Sequence, residues 1–258
     1  MSTPGPGAPR IVVCGDATEL TRRAAALFRD AARAAGAAGR RFCVSLAGGS
    51  TPRGLYRALA TPETPAEAVD WENAELFFGD ERTVPPDHAD SNFRMVREAL
   101  LEPAVNPPTH VNRMEGESAD LDAAARRYER TLRLHAPGDP DPILDLALLG
   151  MGPDGHTASL FPGTTALDER ERLCVAVEVP RLKTRRLTLT YPVFLRARAV
   201  VFLIAGADKA ETLRAVVEGP DRPRELPSQV IVRGGGSVTI LCDRAAAGAL
   251  GATTRGTP

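Results

Sequence analysis

Four short stretches of this chain hold side chains that could do chemistry together. Gly48-Gly49-Ser50-Thr51 pairs two glycines with two hydroxyls just ahead of Pro52. Free N–H groups at a helix start, with close backbone approach through glycine, suit an anion and a phosphate above all. The same four residues would also serve as a tight turn with a Ser/Thr cap. Asp80-Glu81-Arg82 sets three ionised groups in a row after an apolar run. Asp80 could orient a water or a hydroxyl, and Arg82 could hold a phosphate or a developing oxyanion. A solvated turn with a local ion pair is the alternative. His156 follows the turn Gly150-Met151-Gly152-Pro153-Asp154-Gly155. Its imidazole could act as a base near neutral pH, with Asp154 contacting it or capping a short helix, or it could be a structural hydrogen-bonder. Lys209 follows Gly206-Ala207-Asp208 at a helix start, where a cation is poorly placed unless an anion lies in front of it.

Several familiar chemistries are excluded. Gly150 to Gly155 formally spells G-x-G-x-x-G, but Pro162-Gly163 breaks the chain soon after it. The next strand-borne acid, Glu178, lies 28 residues past Gly150, so a dinucleotide fold is rejected. The chain has no Walker A loop, no G-x-S-x-G elbow and no H-E-x-x-H. Its four cysteines, Cys14, Cys43, Cys174 and Cys242, lie far apart and read as buried free thiols of a reducing cytoplasm. With no Cys/His cluster, no metal is expected.

The elements that must position these residues alternate along the chain. Hydrophobic patterning predicts strands at 10–14, 42–47, 75–78, 110–114, 143–149, 172–179, 187–190, 199–205 and 238–242. It predicts helices at 17–38, 52–60, 91–101, 119–135 and 208–218, and an Ala-rich helix after the last strand. Residues 137–142 read as a proline-rich loop, and 1–9 as a disordered lead-in. The pattern implies an α/β fold, a mostly parallel sheet flanked by helices on both faces, in one domain over 10–252. In such sheets ligands bind beyond the carboxyl ends of the strands, where all four stretches fall.

Bulk properties agree with an ordinary globular chain. The 258 residues carry 32 Lys plus Arg against 33 Asp plus Glu, which argues against a nucleic-acid or membrane-surface protein. The longest apolar run, residues 199–207, is far short of the roughly 20 needed to span a membrane. The N-terminus has no basic and apolar leader.

Taken in order, the motifs resemble the 6-phosphogluconolactonases of the sugar-phosphate isomerase and deaminase-like superfamily. The matching residues are Ala47 to Pro52, Phe78 to Arg82 with Val84-Pro85, Ser91-Asn92, the block from Gly150 to Gly163, Arg186 to Thr190, and Gly206 with Lys209. Ala47 stands where the family often has Ser. Residues 179–185 replace a more proline-rich stretch, so the resemblance gives no role to Lys183 or Arg185.

The resemblance implies hydrolysis of 6-phosphoglucono-1,5-lactone to 6-phosphogluconate in the oxidative pentose phosphate pathway, with no cofactor. It implies a catalytic set of His156 as base, Asp80 and Arg82. The expected substrate contacts are Gly48, Gly49, Ser50, Thr51, Arg82, Asp154, Arg186 and Lys209. Backbone N–H groups after Gly152 or Arg82 would meet the oxyanion. The partner is a phosphorylated sugar lactone, and the protein is expected to be a cytoplasmic monomer. Two rivals share the scaffold. One is a related aldose–ketose isomerase or amino-sugar phosphate deaminase; the deaminases resemble D-G-H-I-A-F-N-E-P, whereas this chain has Asp154-Gly155-His156-Thr157-Ala158-Ser159-Leu160-Phe161-Pro162-Gly163. A non-enzymatic sugar-phosphate sensor would need a DNA-binding module that the sequence does not offer.

Overall fold

Short, continuous apolar runs build the centre of the molecule, as expected for strands covered on both faces. The structure, a computed structural model, describes residues 8–135 and 144–255. Its strands are β1 (Arg10–Cys14), β2 (Phe42–Leu46), β3 (Ala74–Phe78), β4 (Asp80–Arg82), β5 (Leu146–Leu149), β6 (Cys174–Val179), β7 (Thr184–Leu189), β8 (Ala199–Ile204) and β9 (Val238–Asp243). The helices are α1 (Ala17–Ala37), α2 (Ser50–Ala60), α3 (Asn92–Val96), α4 (Leu121–His135), α5 (Tyr191–Leu195), α6 (Ala210–Val217), α7 (Ser228–Gly234) and α8 (Ala252–Arg255). Six strands form one parallel sheet in the order β1-β9-β8-β5-β2-β3. Every residue of β2, β3 and β5 is buried. Together with the helix faces that cover them they form one apolar core.

The order of strands creates a crevice. The chain leaves β2 toward β3 on one side, and later leaves β5 toward β8 on the other. Loops that diverge from neighbouring strands leave room for a ligand above the β2–β5 pair.

The structure corrects the sequence reading in several places. Residues 80–82 are not a loop but strand β4, which pairs antiparallel with β7, itself paired with β6. The segments expected at 172–179 and 187–190 therefore belong to a second, three-stranded sheet outside the parallel one. Leu189 N donates to Gly79 O at 2.8 Å, which seats this small sheet directly beside the end of β3. The strand expected at 110–114 makes only a single bridge, Val111 to Leu76. There Asn112 donates its backbone N–H to Leu76 O and its side-chain amide to Glu75. The helix expected at 91–101 is α3 followed by a π turn at Arg97–Leu101. The Ala-rich stretch after β9 forms turns, and only α8 is helical. Neither α5 nor α7 was expected. The loop at 137–142 and residues 1–7 of the lead-in lie outside the described residues. Among the described residues, no helix is long and apolar enough to cross a membrane.

Candidate active site

The loop after β2 is shaped by its glycines. Gly49 has φ +101°, in the region that favours glycine, and caps α2 without a side-chain hydrogen bond. A Cβ on Gly48 would fall 1.9 Å from Asn92 Oδ1, so only glycine allows that amide to close on the loop. The buried Tyr56 hydroxyl donates to Ala47 O at 2.8 Å and anchors the loop from below. The helix starts at Ser50, two residues earlier than expected, so Ser50 and Thr51 belong to its first turn. The first-turn N–H groups of a helix have no partner within it, which suits this turn to an anion.

Strand β4 explains how Asp80-Glu81-Arg82 divides its work. Alternation sends Asp80 and Arg82 to one face and Glu81 to the other. Glu81 is buried, and its carboxylate accepts from the N–H groups of Asn92, Phe93 and Arg82 and from the Ser91 hydroxyl. Burial pushes the Glu81 carboxyl up, and these hydrogen bonds only partly offset the rise. The group thus pins the start of α3 to β4. Asn92 follows from that placement. Its Oδ1 accepts from Arg82 Nη1 at 2.6 Å and its Nδ2 donates to Asp80 Oδ1 at 3.1 Å. Ser159 Oγ donates to the other Asp80 oxygen at 2.6 Å. Arg82 and Arg186 are directly paired across β4 and β7. Two like charges so placed repel. Burial first, and then Arg82, hold the Arg186 guanidinium below its ordinary range.

The turn after β5 aims the histidine. Gly152 N donates to His156 O at 2.9 Å, and Gly155, at φ +74°, donates to Gly152 O at 3.0 Å. Asp154 Oδ1 contacts His156 Nδ1, and its Oδ2 pairs with the Arg181 guanidinium. Burial alone would raise the Asp154 carboxyl, but the His156 hydrogen bond and charge, with Arg181, bring it down to about 2. The imidazole stacks on Phe161, with ring centroids 4.0 Å apart and planes at 27°. With Nδ1 engaged, Nε2 is the nitrogen available to the cavity. Beyond it, Ala158 holds φ +47°, a strained value for a residue with a side chain. That turn brings Ser159 onto Asp80 and Ser159 N onto Thr188 Oγ1.

These pieces enclose a cavity of about 460 Å³ above the β2–β5 crevice. Gly48, Gly49, Ser50, Thr51, Asp80, Arg82, His156, Arg186 and Lys209 all line it. Arg181 lines it as well but pairs with Asp154, which leaves Arg82, Arg186 and Lys209 facing one carboxylate, that of Asp80, among the lining residues. Such a balance suits an anionic ligand. Lys209, just ahead of α6, has its Nζ 3.0 Å from Asp208 Oδ2.

Asp154 departs from expectation. It stands behind His156 rather than in the lining, where a substrate would meet the imidazole first. Two of the backbone donors expected after Gly152 are spent within the turn, since the Gly155 and His156 N–H groups bond Gly152 O and Asp154 Oδ1. Lys183 takes a left-handed turn conformation between β6 and β7, and Arg185 pairs with Asp122 at 3.2 Å. Neither lines the cavity. Sequence reasoning missed the parts played by Asn92, Ser159, Phe161 and Arg181. Only the first three lie in motifs it had singled out.

All four cysteines are free and buried. Burial raises every one of the four thiols, Cys43 and Cys242 to about 12. Among the described residues, no group of three or more His, Cys, Asp or Glu side chains could hold a metal ion.

Comparison with known proteins gives a consistent result. The profile of the family described as glucosamine-6-phosphate isomerases/6-phosphogluconolactonase matches residues 15–240. A 6-phosphogluconolactonase of Rattus norvegicus is 36% identical over 249 residues, covering 96% of this chain and 95% of the relative. One from Synechocystis sp. is 40% identical over 204 residues, covering 78% of this chain and 82% of the relative. The solved 6-phosphogluconolactonase of Trypanosoma cruzi superposes with a TM-score of 0.79 at 30% identity, over 95% of this chain and 97% of the other.

Proposed function

The chain belongs to the family of glucosamine-6-phosphate isomerases and 6-phosphogluconolactonases, and on that premise we propose that it hydrolyses 6-phosphoglucono-1,5-lactone to 6-phosphogluconate. The observation that carries the reading is the Asp154–His156 pair at the wall of a cationic cavity that ends at the first turn of α2. The substrate phosphate takes the N–H groups and hydroxyls of Gly48 to Thr51, with Lys209 supplying charge. Nδ1–H of His156 donates to Asp154, so Nε2 accepts a proton from water as that water attacks the lactone carbonyl. A tetrahedral oxyanion forms. With the Gly155 and His156 N–H groups engaged within the turn, a guanidinium is the better donor for it, and Arg82, fixed by Asn92, is suitably held. The intermediate collapses with cleavage of the bond to the ring oxygen, which takes its proton from the His156 imidazolium. Asp80, held by Ser159 and Asn92, orients a sugar hydroxyl or the water.

This chemistry needs no metal or redox group. The protein acts as a monomer in this reading, and the four buried thiols favour the cytoplasm. Sugar isomerisation or deamination in the same cavity is disfavoured by the Thr157-Ala158-Ser159-Leu160-Phe161-Pro162-Gly163 continuation after the histidine. A coupled assay tests the choice. Lactone is generated in situ by a dehydrogenase, and its loss is followed with and without the protein. Faster loss supports the reading. No acceleration, with turnover of glucosamine 6-phosphate instead, overturns it.

A further inference from the structure

The hairpin between β6 and β7 brings to the site a cation for which the family resemblance supplies no role. Residues Pro180–Leu182 form a single 3-10 turn, and Lys183 closes it in the left-handed region at φ +49°. The turn carries Arg181 over the Phe161 ring, its guanidinium carbon 4.9 Å from the ring centroid. It also places that guanidinium on Asp154 Oδ2, while Asp154 Oδ1 holds His156 Nδ1. Phe161 therefore packs against both the imidazole and the guanidinium, and Asp154 touches both. A flat guanidinium can stack and pair at once, which an ammonium cannot do as well.

The geometry points to Arg181 as a positioning residue that, by occupying the second oxygen of Asp154, keeps His156 in its neutral, proton-accepting form. A carboxylate alone beside an imidazole favours imidazolium, which cannot take a proton from water. A cation on the far oxygen opposes that preference, yet leaves the near oxygen to fix the ring and its tautomer. The other charged groups around the imidazole are Asp80 and Arg82 on β4, Arg186 on β7, and Lys209 ahead of α6, all lining the same cavity. They are shared with any bound anion, whereas Arg181 is committed to Asp154. The inference rests on His156 being the base.

The test reads the imidazole directly and needs no turnover. Histidine side-chain NMR, with His156 assigned by its loss in His156→Asn, follows the ring signals against pH in the native protein, Arg181→Met and Arg181→Lys. Arg181 is half exposed on a hairpin tip, and Arg181→Gln serves as a second neutral variant should the Met variant misfold. The pH at which the His156 signals titrate should rise by about 0.5 to 1 in the neutral variants and stay near the native value in Arg181→Lys. The acid limb of the kcat profile should rise with it. An unmoved or lowered titration in the neutral variants overturns the inference, as does an equal rise in Arg181→Lys. If His156→Asn proves fully active while the titration moves as expected, it is the base assignment that has failed.

Discussion

Replacing Gly152 with alanine adds one carbon at the point where the turn is tightest. That Cβ would lie 2.0 Å from His156 Nδ1, 2.1 Å from Cε1 and 2.6 Å from Asp154 Oδ1. Ordinary contact is about 3.5 Å, so the ring must retreat by about 1.5 Å or the turn must open. The Gly152 backbone lies outside the positive-φ region, so the disturbance is steric and falls on the Asp154–His156 pair. A catalytic group misplaced by about 1 Å costs about 10²-fold. We expect kcat to fall at least about 10²-fold, while 6-phosphogluconate binds within about 3-fold of native, because the phosphate contacts lie elsewhere. Overpacking of about 1–3 kcal/mol should lower Tm by about 3–10 °C, leaving the variant folded. Gly36→Ala is the control. Gly36 is an exposed residue in the last turn of α1 with nothing within 4 Å of an added Cβ, and the change should stabilise by up to about 1 kcal/mol without changing kcat. Steady-state kinetics by the coupled assay, with melts of both variants, decide. Native kcat in folded Gly152→Ala would refute the claim that the turn's closure on His156 matters.

Two further outcomes follow from the same geometry. Asp154 is held at about 2, below the ordinary 3.8, so its contribution is present above the ordinary value and lost as pH falls through about 2. The native protein should therefore lose about 2 kcal/mol more than Asp154→Asn between pH 5 and pH 2 in urea titrations, and parallel losses would contradict the pairing. Lys209→Met should weaken 6-phosphogluconate binding by about 10- to 150-fold in calorimetry, yet barely alter turnover of unphosphorylated gluconolactone. An equal loss of turnover on unphosphorylated gluconolactone would mean that Lys209 does not read the phosphate.

Periodicity was enough to locate the central strands, because β2, β3, β5 and β8 are buried along almost their whole length and leave a mostly apolar record, interrupted only by Ser45 in β2 and Glu75 in β3. Local sequence could not reveal β4. It is three residues long and all charged, and it exists because β7, a hundred residues later, supplies the partner edge. The same long-range pairing explains why Glu81 looked solvated but is buried: its partners are N–H groups of α3, brought to it by the fold. The glycine loop, Asp80, Arg82, His156 and Lys209 were legible as candidates because each lies in the stretch that follows a central strand, and all of them line the cavity. Asn92 and Ser159 were quoted without roles, since their bonds to Asp80 and Arg82 cross 10 to 79 residues. Arg181 left no signal beyond its charge, because its meaning depends on where the hairpin folds over. Asp154 is a different case. Its place beside the histidine was readable, but only the turn's geometry puts it behind the ring and out of the lining.

The central claim is that His156 takes the proton from water. His156→Asn keeps a polar side chain of similar reach but removes the base. The comparison belongs near pH 6, where unaided opening of the lactone is slower, with that blank subtracted. Single-turnover and steady-state rates of lactone loss should fall by about 10²- to 10⁴-fold, with a much smaller change in 6-phosphogluconate affinity. A folded His156→Asn that retains most of the native rate would contradict the account and make Asp80 the candidate base.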